Sequence, residues 1–512
     1  MKKQILLLSL LFLSVFAISQ DKKKAKHYFY DLGDYESAVE EYLELVEQEP
    51  ENIEYNYNLA ISYLNSNIDK SAAIPYLEKL TKMKGASEDV YYFLGRAYAL
   101  GYQFDKAIEA YKKFLELSGK SNILRTDVDR QISYCQNAKE LIKFPLNVKF
   151  ENLGKAINSS YDDYFPFVPI DESFIIFNSN RNKVEGDKNE LPQPDILISY
   201  VKDGKFTDAE VLPEPINTHG MEEVVGLNAW GTEAILYVEG VNNEGDLYEC
   251  KIEDGVFGIP VKLDKNINSK YVEIAGCISS DNSRFFFASD RPGGYGGVDI
   301  YMCQRLPNGK WSEAQNLGPT INTKQDEDFP NLSPDDKILY FSSRGHTGMG
   351  GYDIYKAKWD DFKKKFVGTK NMGYPINTPD DDMNFRVSEN GKYGYISTLR
   401  AEGQGGLDIY RVTFEDVEPN YTAVSGKIIA EDGKTKFSNL FIQIADAETD
   451  DVYGDYQPDE RTLRYVMILP PGKYIMYVEA DGYEMQEQEI EILDKASFKN
   501  YLNKDIHLVP AK

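Results

Sequence analysis

SDRPGGYGGVDIY, residues 289–301, is a glycine-rich loop that runs into Val298-Asp299-Ile300-Tyr301. Loops of this composition cradle phosphates when they open a helix. This one opens a strand, and it recurs: RGHTGMGG at 344–351 and RAEGQGG at 400–406 each precede a similar strand. The glycines are expected to supply positive-φ turns rather than a phosphate site. The tripeptides Asp195-Ile196-Leu197, Asp246-Leu247-Tyr248, Asp299-Ile300-Tyr301, Asp353-Ile354-Tyr355 and Asp408-Ile409-Tyr410 are spaced by 51, 53, 54 and 55 residues. A second marker keeps step with them: Ile157-Asn158, Ile216-Asn217, Ile267-Asn268, Ile321-Asn322 and Ile376-Asn377. Within one unit, 329–332 reads as the inner strand, 333–336 (SPDD) as a turn, 338–342 as the second strand, 352–356 as the third and 366–371 as the fourth. Five such units of four short strands predict a five-bladed β-propeller over residues 146–416.

Ring closure follows from counting. The fifth unit ends its third strand near Phe414 without a fourth, whereas NVKFENL at 147–153 resembles the fourth-strand stretch WSEAQNL at 311–317. The segment before the first unit is expected to complete the last blade, which removes a free edge.

The flanks differ in period. Residues 20–143 carry helical spacing: Ala38, Ala72 and Ala107 lie 34 and 35 apart, as do Tyr42, Tyr76 and Tyr111. Leu59-Ala60-x-x-Tyr63 and Leu94-Gly95-x-x-Tyr98 mark first helices of successive units, Gly33-Asp34-Tyr35 begins a second helix, and 126–142 reads as a capping helix. A period near 34 with small residues at the helix crossing resembles the tetratricopeptide repeat, a solenoid that implies protein partners. The tyrosines read as core. Residues 421–512 alternate at strand period around LPPGKY (469–474) and ADGY (480–483), predicting a small antiparallel β-sandwich.

Composition bounds the function. The formal net charge is −26, from 57 Lys+Arg against 83 Asp+Glu, which disfavours nucleic acid or an anionic lipid surface as the main partner. MKKQILLLSLLFLSVFAIS, residues 1–19, has the basic start, apolar run and small-residue end of an export signal; with no Cys at the cleavage point, a lipid anchor is not expected. No other apolar run is long enough to span a bilayer. Cys135, Cys250, Cys277 and Cys303 show no paired spacing and read as buried free thiols; Cys250 and Cys303 each follow a repeat aspartate by four residues.

The order of modules resembles Bacteroidota cell-envelope proteins that join tetratricopeptide repeats, a PD40 (WD40-like, TolB-like) propeller and a carboxypeptidase-regulatory-like or transthyretin-like sandwich. The residues that carry it are NLGKAINSSYDDYFPF (152–167), SDRPGGYGGVDIY and the LPPGKY and ADGY pair. The chain looks like the PorE-type components associated with type IX secretion and gliding. The resemblance implies a non-enzymatic scaffold at the periplasmic side of the outer membrane, with outer-membrane or secretion components as partners. Those relatives end in an OmpA-like domain, which Asp505-Ile506-His507-Leu508-Val509-Pro510 does not lead into, so direct peptidoglycan anchoring is not expected.

Chemistry is sparse. There is no G-x-S-x-G and no H-E-x-x-H, and His27, His219, His346 and His507 are scattered. No cofactor, metal centre or catalytic residue is expected. One constellation stands out: six or seven residues after each repeat isoleucine comes an acid, Asp163, Glu223, Glu273, Glu327 or Asp382. Two readings stay open. The acids either bond backbone within or between blades, or ring one channel mouth as a site for a cation or basic peptide. The second would support an alternative function, a periplasmic sensor that takes a ligand in the propeller channel.

Overall fold

The computed structural model describes residues 21–181, 193–218, 220–240, 245–253, 255–388, 393–415, 422–459, 462–492 and 501–511. The export signal expected over 1–19, and His219, lie outside them. Helix α1 (residues 21–32, with a π-helical last turn His27–Leu32) pairs with α2 (Tyr35–Gln48). Helix α3 (Ile53–Asn65) pairs with α4 (Ile74–Leu80), α5 (Asp89–Leu100) with α6 (Phe104–Leu117), and α7 (Arg125–Leu141) closes the stack. Side chains of Asp34 and Asn52 accept from Ser37 and Tyr55 N–H and so fix the starts of α2 and α3. Gly95 is demanded by packing: a Cβ there would sit 2.6 Å from the Tyr111 ring. Ala38, Ala107, Tyr42 and Tyr111 are core residues as the period predicts. The middle unit slips by one. Its second helix begins as a 3-10 turn, Lys70–Ala73, so Ala73 rather than Ala72 is fully buried, and Tyr76 only stacks on Tyr63. No helix among the described residues is long and apolar enough to cross a membrane.

Five sheets follow, arranged around an axis by contacts between their first strands. Blade 1 runs Asp163–Phe167, Phe174–Ser179, Asp195–Lys202 with Glu210–Val211 outermost; blade 2 runs Glu222–Leu227, Glu233–Glu239, Gly245–Glu253, Val261–Lys262. Blade 3 runs Glu273–Ile278, Arg284–Ser289, Asp299–Gln304, Gln315–Asn316; blade 4 runs Glu327–Leu332, Ile338–Ser343, Asp353–Asp360, Lys365–Asn371. Blade 5 takes Arg386–Ser388, Tyr393–Thr398 and Asp408–Phe414 from the end of the region and Val148–Asn152 from before it. That donated strand pairs antiparallel, Val148 opposite Phe414 and Asn152 opposite Tyr410. The ring is a five-bladed propeller closed by the 147–153 segment.

Both repeat markers have a physical cause. Each repeat asparagine acts as a rung of β-ladder. Its Oδ1 accepts from, and its Nδ2 donates to, the main chain of the residue after the repeat aspartate. Asn322 holds Ile300 N–H and C=O at 2.9 Å each; Asn158, before blade 1, holds Ile409 of blade 5 at 2.8 and 3.0 Å. The repeat aspartate is wrapped by the glycine loop. Asp299 accepts from Tyr295 N–H (2.5 Å) and Gly296 N–H (3.2 Å), and Asp353 from Met349 and Gly350 N–H (2.9 and 3.1 Å). The loop's N–H groups do hold an oxygen acid, but it is the chain's own carboxyl.

The positive-φ expectation for these glycines is corrected. Only Gly293 in the three loops has positive φ. The others are glycines because neighbouring main chain, or the carboxylate or hydroxyl oxygen of a packed side chain, comes too close for a Cβ. One at Gly296 would lie 2.0 Å from Gln325 O, and one at Gly350 2.3 Å from Asp380 O.

Beyond the propeller, two four-stranded sheets face each other across one apolar core that includes Val424, Ile444, Met467, Met476, Ile490 and Ile506. The expected all-antiparallel pairing is corrected. Tyr501–Asn503 and Ile506–Leu508 run parallel to Thr422–Ala430, because the chain crosses the other sheet before returning in the same direction. All four cysteines are buried free thiols.

Removing the Asn322 carboxamide leaves Ile300 N–H and C=O buried and unpaired. Asn322→Ala is therefore expected to cost about 3 kcal/mol in denaturant unfolding.

Candidate functional site

The structure shows what the acids bond. Four of them share one environment: Asp163, Glu273, Glu327 and Asp382 are each fully or almost fully buried at the start of their blade. Each accepts from the N–H and hydroxyl of the Ser or Thr that follows the repeat asparagine. For Glu327 these are Thr323 N–H (2.6 Å) and Oγ1 (2.7 Å), plus Ser343 Oγ (2.6 Å); for Glu273 they are Ser269 N–H (2.9 Å) and Oγ (2.8 Å). Ser159 and Thr378 do the same for Asp163 and Asp382. These carboxylates tie down the loop between blades.

Glu223 is a correction. The equivalent residue in blade 2 is Glu222, held by Thr218 N–H (3.2 Å) and hydroxyl. Alternation along the strand sends Glu223 the other way, to Tyr164 OH of blade 1 at 2.6 Å. The axis itself is filled. Phe165 of blade 1 and Phe329 of blade 4, which are not adjacent blades, place ring centroids 4.4 Å apart, with Met383 against the same cluster. A ligand in the channel at that level would have to displace both rings.

Counter-charge is uneven. Arg181 reaches Asp163 at 2.5 Å and the Ile157 carbonyl; Arg291 reaches Glu273 at 2.9 Å and the Ile267 carbonyl at 2.6 Å. In blade 4 the corresponding loop has Gly345 and His346, and His346 Nε2 takes the Ile321 carbonyl at 2.8 Å. Glu327 has no bonded cation among the described residues, and burial pushes its carboxyl up to about 7. Burial also raises Asp328 and Asp336 to about 7 and lowers His346.

What the sequence did not announce is where the helices go. The solenoid sits on the propeller face that carries the glycine loops, over blades 4, 5 and 1. Lys70 Nζ bonds both carboxylate oxygens of Asp380 at 2.6 Å, Asn67 Nδ2 donates to Asp162 at 3.0 Å, and Asn137 Nδ2 donates to Gly348 O at 3.0 Å. Tyr134 donates to Arg344 O and Arg130 to Gln325. Met349, from the blade 4 loop, is 2% exposed inside the helical core. Between α5, α7 and this loop lies a polar cavity of about 190 Å³. On the opposite face, the turns between first and second strands meet the two-sheet module: Ile170 and Trp230 cluster with its Val466, while Trp230 Nε1 donates to Ser280 O of the blade 3 turn at 2.9 Å.

The helical stack matches the TPR repeat family over residues 27–67 and the tetratricopeptide repeat family over 69–122. No curated protein sequence matches the chain. Among solved structures it is similar to TolB from Acinetobacter baumannii, at 15% identity and a TM-score of 0.32, over 50% of this chain and 55% of that one. It is also similar to the endo-arabinase from Bacteroides thetaiotaomicron, at 14% identity and a TM-score of 0.33, over 52% of this chain and 96% of that one. A third is the beta-1,2-mannobiose phosphorylase from Listeria innocua, at 9% identity and a TM-score of 0.36, over 52% and 96%.

A carboxyl raised on folding binds its proton more tightly in the folded state, so it favours folding below its unfolded value and loses that contribution as pH rises through its folded one. With Glu327, Asp328 and Asp336 all near 7, the melting temperature is expected to fall between about pH 5 and pH 8. Glu327→Gln should flatten part of that slope. Met349→Asp would place a charge in the helical core and release the solenoid, read as a larger radius of gyration by small-angle scattering with the propeller still folded.

Proposed function

We propose that the protein is a non-enzymatic exported scaffold, which holds envelope proteins at the periplasmic side of the outer membrane and serves type IX secretion or gliding. The observation that carries the scaffold reading is the repeat stack over residues 27–122, a protein-binding architecture, docked on a propeller face. The non-enzymatic reading draws support from the fate of the acids, whose lone pairs go to loop N–H and hydroxyl groups. The module order, with a carboxypeptidase-regulatory-like or transthyretin-like sandwich last, and the export signal read in residues 1–19 support the envelope.

The docking also says which surfaces are free to act. The face of α5 and α7 is turned to the propeller, so partners meet the outer helices, such as α6, and the propeller rim. The channel reading loses its ground to the Phe165–Phe329 contact. The interdomain cavity is the better place for a small ligand.

Affinity capture of the full chain from cross-linked envelopes is the test. Outer-membrane β-barrel or secretion components should co-purify, with cross-links on the α6 side of the solenoid. Recovery of the protein in the cytoplasm, or cross-links confined to its own domains, would overturn the reading.

A further inference from the structure

We propose that the cavity between α5, α7 and the blade 4 loop is a binding site for a small oxyanion, a carboxylate or a phosphate group, held by Arg96, Arg130 and Arg344. In a chain with 26 excess negative charges, three guanidinium groups from three separate elements line one space of about 190 Å³. A single water needs about 10–15 Å³ of such volume, so a small organic acid fits.

The acids around the cavity are already committed. Asp380 gives both oxygens to Lys70, and Asp381 accepts from Tyr352 N–H at 2.7 Å. Asp127 takes Tyr92 OH at 2.7 Å, Gln131 at 2.9 Å and Arg130. Arg344 reaches Asp381 only at 3.4 Å and stacks on Tyr352 at 4.3 Å. Arg96 makes no hydrogen bond or ion pair among the described residues, although it is partly buried at a domain joint. The Nε atoms of Arg130 and Arg344 are buried without a hydrogen-bond partner, and a buried donor left unpaired is costly. An oxyanion would supply the missing charge, and the planar forks of arginine suit carboxylate and phosphate in two-point contacts.

Both domains furnish the site, so the ligand binds the docked arrangement alone and stabilises it by mass action. The inference stands apart from the scaffold reading, because it needs neither a protein partner nor the envelope.

The test uses the full chain at constant ionic strength, with chloride as the control for screening. The probes are inorganic phosphate, glutarate and a pair of trialanine peptides, one with a free C-terminal carboxylate and one amidated. At least one oxyanion should bind with 1:1 stoichiometry by calorimetry and raise the melting temperature above the chloride control. Binding of the acid peptide but not its amide assigns the group to a chain terminus; binding of phosphate or glutarate alone assigns it to a free small anion.

Arg96→Gln should melt close to the parent without ligand and bind at least ~10-fold more weakly, the expected loss of one charge-assisted contact. A second readout needs no variant: the bound probe should shield Arg96 from phenylglyoxal, followed by mass spectrometry. The proposal fails if no probe binds in the millimolar range, if Arg96→Gln binds as tightly as the parent, or if Arg96 reacts equally fast with and without saturating probe.

Discussion

The structure depends on one close approach: the main chain of each glycine loop lies against the main chain of the next blade's entry loop. At Gly296, Gly350 and Gly405 a Cβ would sit 2.0, 2.3 and 2.5 Å from a carbonyl oxygen across the joint. Beside each contact an aspartate from the following blade accepts one N–H. Asp326 takes Val298 at 3.0 Å, and Asp381 and Asp162 take Tyr352 and Leu407 at 2.7 Å each. The joint from blade 5 to blade 1 uses the same pieces as the joints from 3 to 4 and from 4 to 5. Closure therefore needs no special device beyond the donated strand Val148–Asn152, because the terminal joint is already an ordinary one.

That approach brings polar groups into the interior, where each must find a partner. The repeat asparagine, the repeat aspartate and the acid before each first strand are the means. This is why so many carboxylates are buried in the propeller. Asparagine supplies donor and acceptor together and can stand in for a peptide group; aspartate supplies acceptors only and suits a loop whose N–H groups converge. The residue types repeat because the backbone geometry they satisfy repeats.

This also explains what was legible in the sequence. Ile-Asn and Asp-Ile-Tyr are visible as periods because side chains that bond main chain tolerate few substitutes. The blade number and the closing strand could be counted from them. The register of Glu222 and Glu223 could not, since two adjacent acids give the same text and only strand alternation tells them apart. The parallel pairing of Ile506–Leu508 was hidden for a similar reason: alternation reports which face is buried, not strand direction. The docking of the solenoid was hidden because it rests on single side chains, Lys70, Arg130, Tyr134 and Met349, each of which reads alone as an ordinary surface or helix residue.

Met349 shows how a loop fixed for folding can still be fitted to a partner. The loops of blades 3, 4 and 5 have equal length from the serine or threonine that ends the second strand to the repeat aspartate. Their glycines and aspartates are held by the joint, but the residue before the Gly-Gly pair points away from it and is free to differ: Tyr295, Met349 and Gln404. Tyr295 is 51% exposed, whereas Met349 is 2% exposed in the helical core. The same blade replaces the arginine seen in blade 3 with Gly345 and lets His346 hold the Ile321 carbonyl, while Arg344 turns to the solenoid side. Blade 4 is thus the one whose loop is rebuilt for the helices, and its acid, Glu327, like Asp382 of blade 5 and Glu222 of blade 2, has no guanidinium bonded to it among the described residues. In blade 4 one loop serves two joints: Tyr352 N–H meets Asp381 at the entry to blade 5, and Met349 enters the helical core.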